Sequence, residues 1–130
     1  MKHLLIILSI LLLSSPVIGD NHKGETLYGW GNTLPYVWKG VGEKETQPKY
    51  EGDVEKGVPN GLGVLFYTKG VKYIGEWKNG EFIEGTMTKP DGSFYVGEFK
   101  YRLLENGTFY DKNGNINFKR VNGKIKFVKQ

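Results

Sequence analysis

The side chains that could do chemistry in this sequence are few. There is no cysteine, and beyond residue 19 there is one serine, Ser93, and one histidine, His22. A covalent nucleophile needs a neighbouring base, and zinc-type sites draw on histidine and cysteine, so neither can be assembled from these parts. Carboxylates remain. Asp53, Glu76 and Glu98 recur at spacings of 23 and 22 residues. If each stands on an outgoing strand with a return strand between, two strand spacings set neighbours ~10 Å apart. Oxygens sharing one cation at ~2.4 Å lie far closer together. A retaining glycosidase pair stands ~5 Å apart, and the spacing reaches only the top of the ~6.5–9.5 Å inverting range. The reading is a solvated acidic column, with no enzyme activity, cofactor or metal expected. Its rival is a cryptic carbohydrate-active enzyme using Glu76 or Glu98.

The aromatic residues are more informative. Tyr50, Tyr73, Tyr95 and Phe118 follow one another at 23, 22 and 23 residues, and a second column runs through Leu65, Met87 and Phe109 at 22. Tyr73, Gly75 and Trp77 sit at i, i+2 and i+4, so in a strand they share one face while Glu76 and Lys78 take the other. A glycine between two aromatics on that face leaves room for a ring from a neighbouring strand. Tyr50, Tyr73, Trp77, Tyr95 and Phe99 are therefore candidate partner-binding aromatics. The competing reading makes them the core, packed on one another and on Leu65, Met87 and Phe109. A single-layer sheet has no second layer above it, so part of the stripe can line a groove suited to an extended peptide or a glycan.

The charge is unevenly spread. Residues 20–111 carry 11 basic and 14 acidic side chains, whereas from Lys112 onward there are 6 basic and no acidic ones. Lys119, Arg120, Lys124 and Lys126 are candidates for contact with an anionic membrane surface or cell-wall polyanion. The plainer reading is that lysines on a final strand discourage edge-to-edge aggregation. Nucleic acid is not an expected ligand, because the net charge is mild and the main array is acidic.

These residues must be positioned by hairpins. Gly63-Val-Leu65-Phe-Tyr67 reads as a return strand, with turns between units at Thr68-Lys-Gly-Val71 and Pro90-Asp-Gly92. At Gly75-Glu76-Trp77-Lys-Asn79-Gly80 and Gly97-Glu98-Phe99 the sequence resembles the MORN repeat family (membrane occupation and recognition nexus). Its pattern is Tyr-x-Gly-Glu-Trp/Phe, then Asn-Gly, a Gly-x-Gly pair, and Asp-Gly before the next Tyr. The first unit keeps Gly57 and Gly61-Leu-Gly63 but has Asp53-Val54 for Glu-Trp; the second keeps Gly85 of the pair. The third has Tyr101-Arg102 for Asn-Gly and keeps Gly107, and Arg120 replaces the glycine after Phe118. The resemblance runs from Tyr50 to Asn117, about half the chain. The implied fold is all-β: an elongated, twisted antiparallel meander of stacked β-hairpins.

Along the chain, Lys2 and His3 precede an apolar run from Leu4 to Leu13, then Ser14-Ser15-Pro16 and a small residue at Gly19. This is the pattern of a secretory signal cleaved before Asp20, with an uncleaved anchor as the alternative. The apolar run is about half the ~20 residues of a membrane span. An extracytoplasmic protein, periplasmic or secreted, is expected, held by packing alone since there is no cysteine. Asn21 to Thr26 reads as a flexible lead-in, and residues 20–49 as an N-terminal cap containing a degenerate half-repeat at Trp38-Lys-Gly40-Val-Gly42, with an exposed Trp-bearing binding surface as the alternative. Residues 50–117 form the array of about three units. In residues 118–130 the Asn122-Gly123 turn sets Val121 against Lys124 and Phe118 against Phe127. Asn106-Gly107-Thr108 matches a glycosylation sequon that coincides with the repeat's glycine step. The resemblance implies a non-catalytic module for protein binding or scaffolding. Self-association through a free sheet edge is a further possibility.

Overall fold

The computed structural model describes residues 24–100 and 103–127. The fold is all-β, with ten antiparallel strands in one open sheet. The strands are β1 (Glu25–Trp30), β2 (Val37–Lys39), β3 (Lys49–Glu55), β4 (Val58–Phe66), β5 (Lys72–Lys78), β6 (Glu81–Thr88), β7 (Phe94–Lys100), β8 (Leu103–Tyr110), β9 (Ile116–Val121) and β10 (Lys124–Phe127). From β3 to β10 each strand pairs with its successor. Only the connection from β2 to β3 skips a neighbour, passing β1, since the order at that end is β4-β3-β1-β2. The expected meander of hairpins is the observed architecture.

Two alternating turn types drive the meander. Lys56-Gly57, Asn79-Gly80 and Asn122-Gly123 have positive φ at both central residues, the mirror-image two-residue turn whose twist matches that of paired strands. The turns between units are longer and superimposable in bonding. The Tyr67 amide donates to the Val71 carbonyl, that of Lys89 to Ser93, and that of Asp111 to Asn115. Their glycines, Gly70, Gly92 and Gly114, stand 22 residues apart with φ of 89°, 90° and 85°. Carboxylates brace two of them. The Asp91 Oδ1 accepts from the Ser93 amide at 2.9 Å and hydroxyl at 2.6 Å, and the Asp111 Oδ1 accepts from the Asn113 and Asn115 amides at 2.9 Å. These bonds hold both carboxyls below the usual carboxylate range.

The strand register lines up one residue type across the sheet. Gly52, Gly63, Gly75, Gly85, Gly97 and Gly107 are successive cross-strand partners from β3 to β8, and the row ends where Gly107 meets Arg120 on β9. A methyl group at Gly63 would run into the Tyr50 ring, and one at Gly107 into Tyr95. Rings thus cover these two return-strand glycines, whereas at Gly75, between Tyr73 and Trp77, the room expected for a ring is taken by the backbone of Glu84 and Gly85. Without side chains along this line the backbones and rings approach closely, and the core collects on that face.

Two buried clusters result. Leu27, Tyr50, Leu65 and Trp77 form one, and Tyr95, Phe99 and Phe109 the other, bridged by Tyr73 and Phe82, which touch both. The opposite face is lined at its centre by β-branched residues in register: Val64, Ile74, Thr86, Val96 and Thr108. Such side chains pack well on a pleated surface, and Val96 is 2% exposed.

The N-terminal region departs from expectation. Glu25 and Thr26 belong to β1, paired with Gly52 and Glu51, rather than to a loose lead-in. Their backbone groups complete a ladder that β3 would otherwise leave open. The segment taken as a cap extends the same sheet by two strands, leaving the three-residue β2 at the edge. At the far end Val121 pairs with Lys124 and Phe118 with Phe127, as the Asn-Gly turn requires. The expected targeting segment 1–19, residues 20–23, the Tyr101-Arg102 position and residues 128–130 lie outside the described residues.

Candidate binding site in an aromatic hollow

The three repeat tyrosines do not occupy equivalent places. Tyr50 and Tyr95 are 0% exposed, folded flat over the glycine row. The Tyr50 hydroxyl donates to the Asp53 carbonyl at 2.7 Å, and that of Tyr95 reaches the Glu98 carbonyl at 3.4 Å. Burial pushes both phenols well above their ordinary pKa. The Asp53 charge adds to the effect at Tyr50, while Arg120 partly offsets it at Tyr95. Neither ring offers a surface to a partner.

Tyr73 is different because of its neighbour. Val54, Trp77 and Phe99 face Pro59, Phe82 and Leu104 across the hairpins. Only Phe82 is large and aromatic, and its ring lies over Gly85, 2.9 Å from where a methyl group there would stand. That is the slot that Tyr50 and Tyr95 fill in their own units. Tyr73 instead contacts Tyr67, Phe82 and Phe99, at centroid separations of 5.5, 5.2 and 5.8 Å. It remains half-buried, and burial raises its phenol pKa, with Tyr36 adding to the shift.

Above this ring the chain between β1 and β2 folds over the aromatic face. Tyr36 packs on Gly29, where a side chain would collide with it. It meets Trp38 at 5.6 Å and Tyr67 at 6.5 Å. Between this flap and the sheet lies a hollow of about 140 Å³, walled by Tyr36, Trp38, Tyr67, Tyr73 and Phe82. Trp77 and Phe99 also line it, with Leu34 and Pro35 from the flap and Glu81 as the one charged side chain among the described residues. Trp77 and Phe99 are nonetheless 5% and 8% exposed, and the Trp77 indole N–H donates to the Gly63 carbonyl at 3.1 Å. Of the five aromatics singled out in the sequence, Tyr73 is the one presented to this space, Trp77 and Phe99 form its base, and Tyr50 and Tyr95 support it from within. Tyr36, Tyr67 and Phe82 were not singled out, whereas Trp38 belongs to the segment whose alternative reading is an exposed Trp-bearing binding surface. Phe82 could have been, since it stands where the other units carry Pro59 and Leu104.

The carboxylates lie on the other face. Glu84 on the return strand pairs with both Glu76 and Glu98, so these acids are adjacent in the ladder rather than separated by an uncharged strand. Glu76 and Glu98 stand two strand spacings, ~10 Å, apart as expected, with Glu84 midway at about 4.8 Å from each. The Asp53 Oδ2 accepts from the Leu62 amide at 3.0 Å, which ties it to the irregular pairing of β3 with β4. No group of three His or acidic side chains is arranged to hold a metal ion among the described residues.

The basic candidates separate into two sets. Lys119 faces Lys126 across β9 and β10, and Lys124 shares their side of the sheet by strand alternation. Arg120 points to the aromatic face, where its Nη1 donates to the Gly123 carbonyl at 2.8 Å and its buried Nε has no partner among the described residues. Arg120 therefore belongs to the hairpin's own packing, not to the lysine patch. The Asn106 Oδ1 of the sequon accepts from the Asn122 amide at 2.9 Å, and Thr108 is buried.

No family model matches the chain, and no curated protein matches it.

Proposed function

We propose that this chain is a divergent MORN-repeat protein acting, after removal of residues 1–19, as a non-catalytic binding module outside the cytoplasm. The observation that carries the reading is the hollow of about 140 Å³, walled by aromatic rings that a stacked sheet holds in place. The 22-residue recurrence of the turns at Gly70, Gly92 and Gly114 supports the repeat assignment. A surface formed in advance loses little ordering entropy on binding, which suits capture of a partner.

The test is affinity capture from the native envelope fraction with residues 20–130 as bait. Wild type is compared with Leu34→Asp and Tyr73→Leu, after thermal melts show that the variants fold. Material retained at high salt by the wild type and lost with both variants is the expected result. Retention by all three would remove the hollow from the interaction.

One observation favours a second reading. Two lysines facing each other on adjacent strands repel, and Lys119 and Lys126 do so with Lys124 beside them. An anionic membrane or cell-wall polymer would relieve that repulsion. Retention that vanishes at high salt and with Lys119→Gln/Lys126→Gln, but not with Tyr73→Leu, would assign the function to this patch.

A further inference from the structure

The shape and chemistry of the hollow define a ligand class, an inference that rests on the binding reading above. The walls are crossed rings rather than a platform. Tyr36 and Trp38 meet at 80°, Tyr67 and Tyr73 at 61°, and Tyr73 and Phe82 at 77°. A sugar ring stacks on parallel aromatic faces. The parallel pairs of this molecule, Phe94 with Tyr110 and Phe109 with Phe118, both lie outside the hollow. Perpendicular walls enclose a compact, round group instead. Size agrees, because about 140 Å³ falls below the roughly 300–1,000 Å³ of sites for drug-sized ligands. There is room for a head group but not for a chain.

Charge supplies the remaining constraint. Among the described residues no lysine or arginine lines the space, and the one charged side chain there is Glu81. Aromatic faces carry negative quadrupoles that attract cations, most of all weakly hydrated alkylated ammonium groups. Tyr36, Tyr67 and Tyr73 are half-buried, so their rings keep surface free for such a contact. An anionic or zwitterionic ligand carrying its carboxylate beside the ammonium would meet Glu81 unfavourably.

We propose that the hollow is a cage for a choline-like trimethylammonium head, reached either as a free small cation or as the head group of a lipid. Tyr36, Trp38, Tyr67, Tyr73 and Phe82 would form the walls, with Glu81 contributing negative potential at the rim.

Trp38 and Trp77 line the site, so intrinsic fluorescence can follow its occupation. Residues 20–130 are titrated with tetramethylammonium, choline and the neutral isostere 3,3-dimethylbutan-1-ol at constant ionic strength. Both cations should give saturable changes, with the isostere about 2- to 30-fold weaker. Glu81→Gln should weaken choline several-fold and leave the isostere unchanged. Vesicles of phosphatidylcholine, set against vesicles containing phosphatidylethanolamine, which lacks the three N-methyl groups, identify the source. Choline-selective vesicle binding would assign a lipid head, and choline binding without it a free cation. Equal binding of isostere and choline would overturn the cage while leaving an apolar binding site, and hence the binding module, intact. Absence of saturable binding by any probe would overturn the cage outright. If capture were also indifferent to Leu34→Asp and Tyr73→Leu, the binding reading would fall with it.

Discussion

Trp77 anchors the fold and underlies the candidate site at once. Its ring meets Tyr50 at 5.3 Å and Phe82 at 5.1 Å while its N–H caps the Gly63 carbonyl. Replacement by alanine removes a buried aromatic, opens a cavity and leaves that carbonyl without its donor, a loss of about 3–5 kcal/mol. Urea unfolding of Trp77→Ala should show this, so loss of binding by that variant would report unfolding rather than a lost contact. The buried phenols give a second prediction. Tyr50, Tyr73 and Tyr95 all have pKa values raised by burial. Above the unfolded tyrosine value of about 10, the unfolded chain loses protons that the folded chain retains. The folded state then binds more protons, and stability falls as pH rises further. Each such tyrosine contributes a slope of up to ~1.4 kcal/mol per pH unit. Urea midpoints between pH 9 and 11.5 should decline, and Tyr50→Phe should flatten the decline.

At the scale of the hairpin, ring and glycine act as a pair. Gly63→Ala places a methyl group against the Tyr50 ring, and such overpacking costs about 1–3 kcal/mol. In a Tyr50→Leu background the obstacle is gone, so a double-mutant cycle should return a coupling of roughly 0.5–3 kcal/mol. Additive losses would mean that backbone crowding alone sets the requirement for glycine. This pairing explains how much could be read from the sequence. The alternation of Tyr73, Gly75 and Trp77 and the Asn79-Gly80 and Asn122-Gly123 turns specify strands, faces and register, because period and turn chemistry are local. The Lys56-Gly57 turn carries a weaker signal, since lysine seldom adopts positive φ. What could not be read was the swing of Tyr73, which depends on Phe82 taking the slot over Gly85. Nor could the flap at Leu34 to Tyr36 be placed, because its contact with the sheet joins residues distant in sequence. The split between Arg120 and the lysines follows from strand alternation and was legible in principle.

At the scale of the whole molecule, each strand bonds only to its neighbours in the sheet while the β1–β2 flap reaches further, so stability is largely a sum of unit and interface terms. The candidate site inherits this arrangement. Its lining comes from the flap, β2, β4 and the turn after it, β5, β6 and β7, so loss of the β1–β2 end should abolish it while the array from β5 onward stays folded. Amide exchange should accordingly be slowest in β4 to β8 and fast in β10, all four of whose residues are exposed. The sequential strand order has a mechanical consequence as well. A force applied through the two ends of the chain loads the C-terminal hairpin one hydrogen bond at a time, in the manner of a zip, rather than shearing a whole ladder together. The protein should lengthen in a staircase at low tension. Each 22-residue unit would release roughly 75 Å of contour, a step size that optical tweezers resolve. Such a chain would be a soft, stepwise-extensible link between whatever holds its two ends.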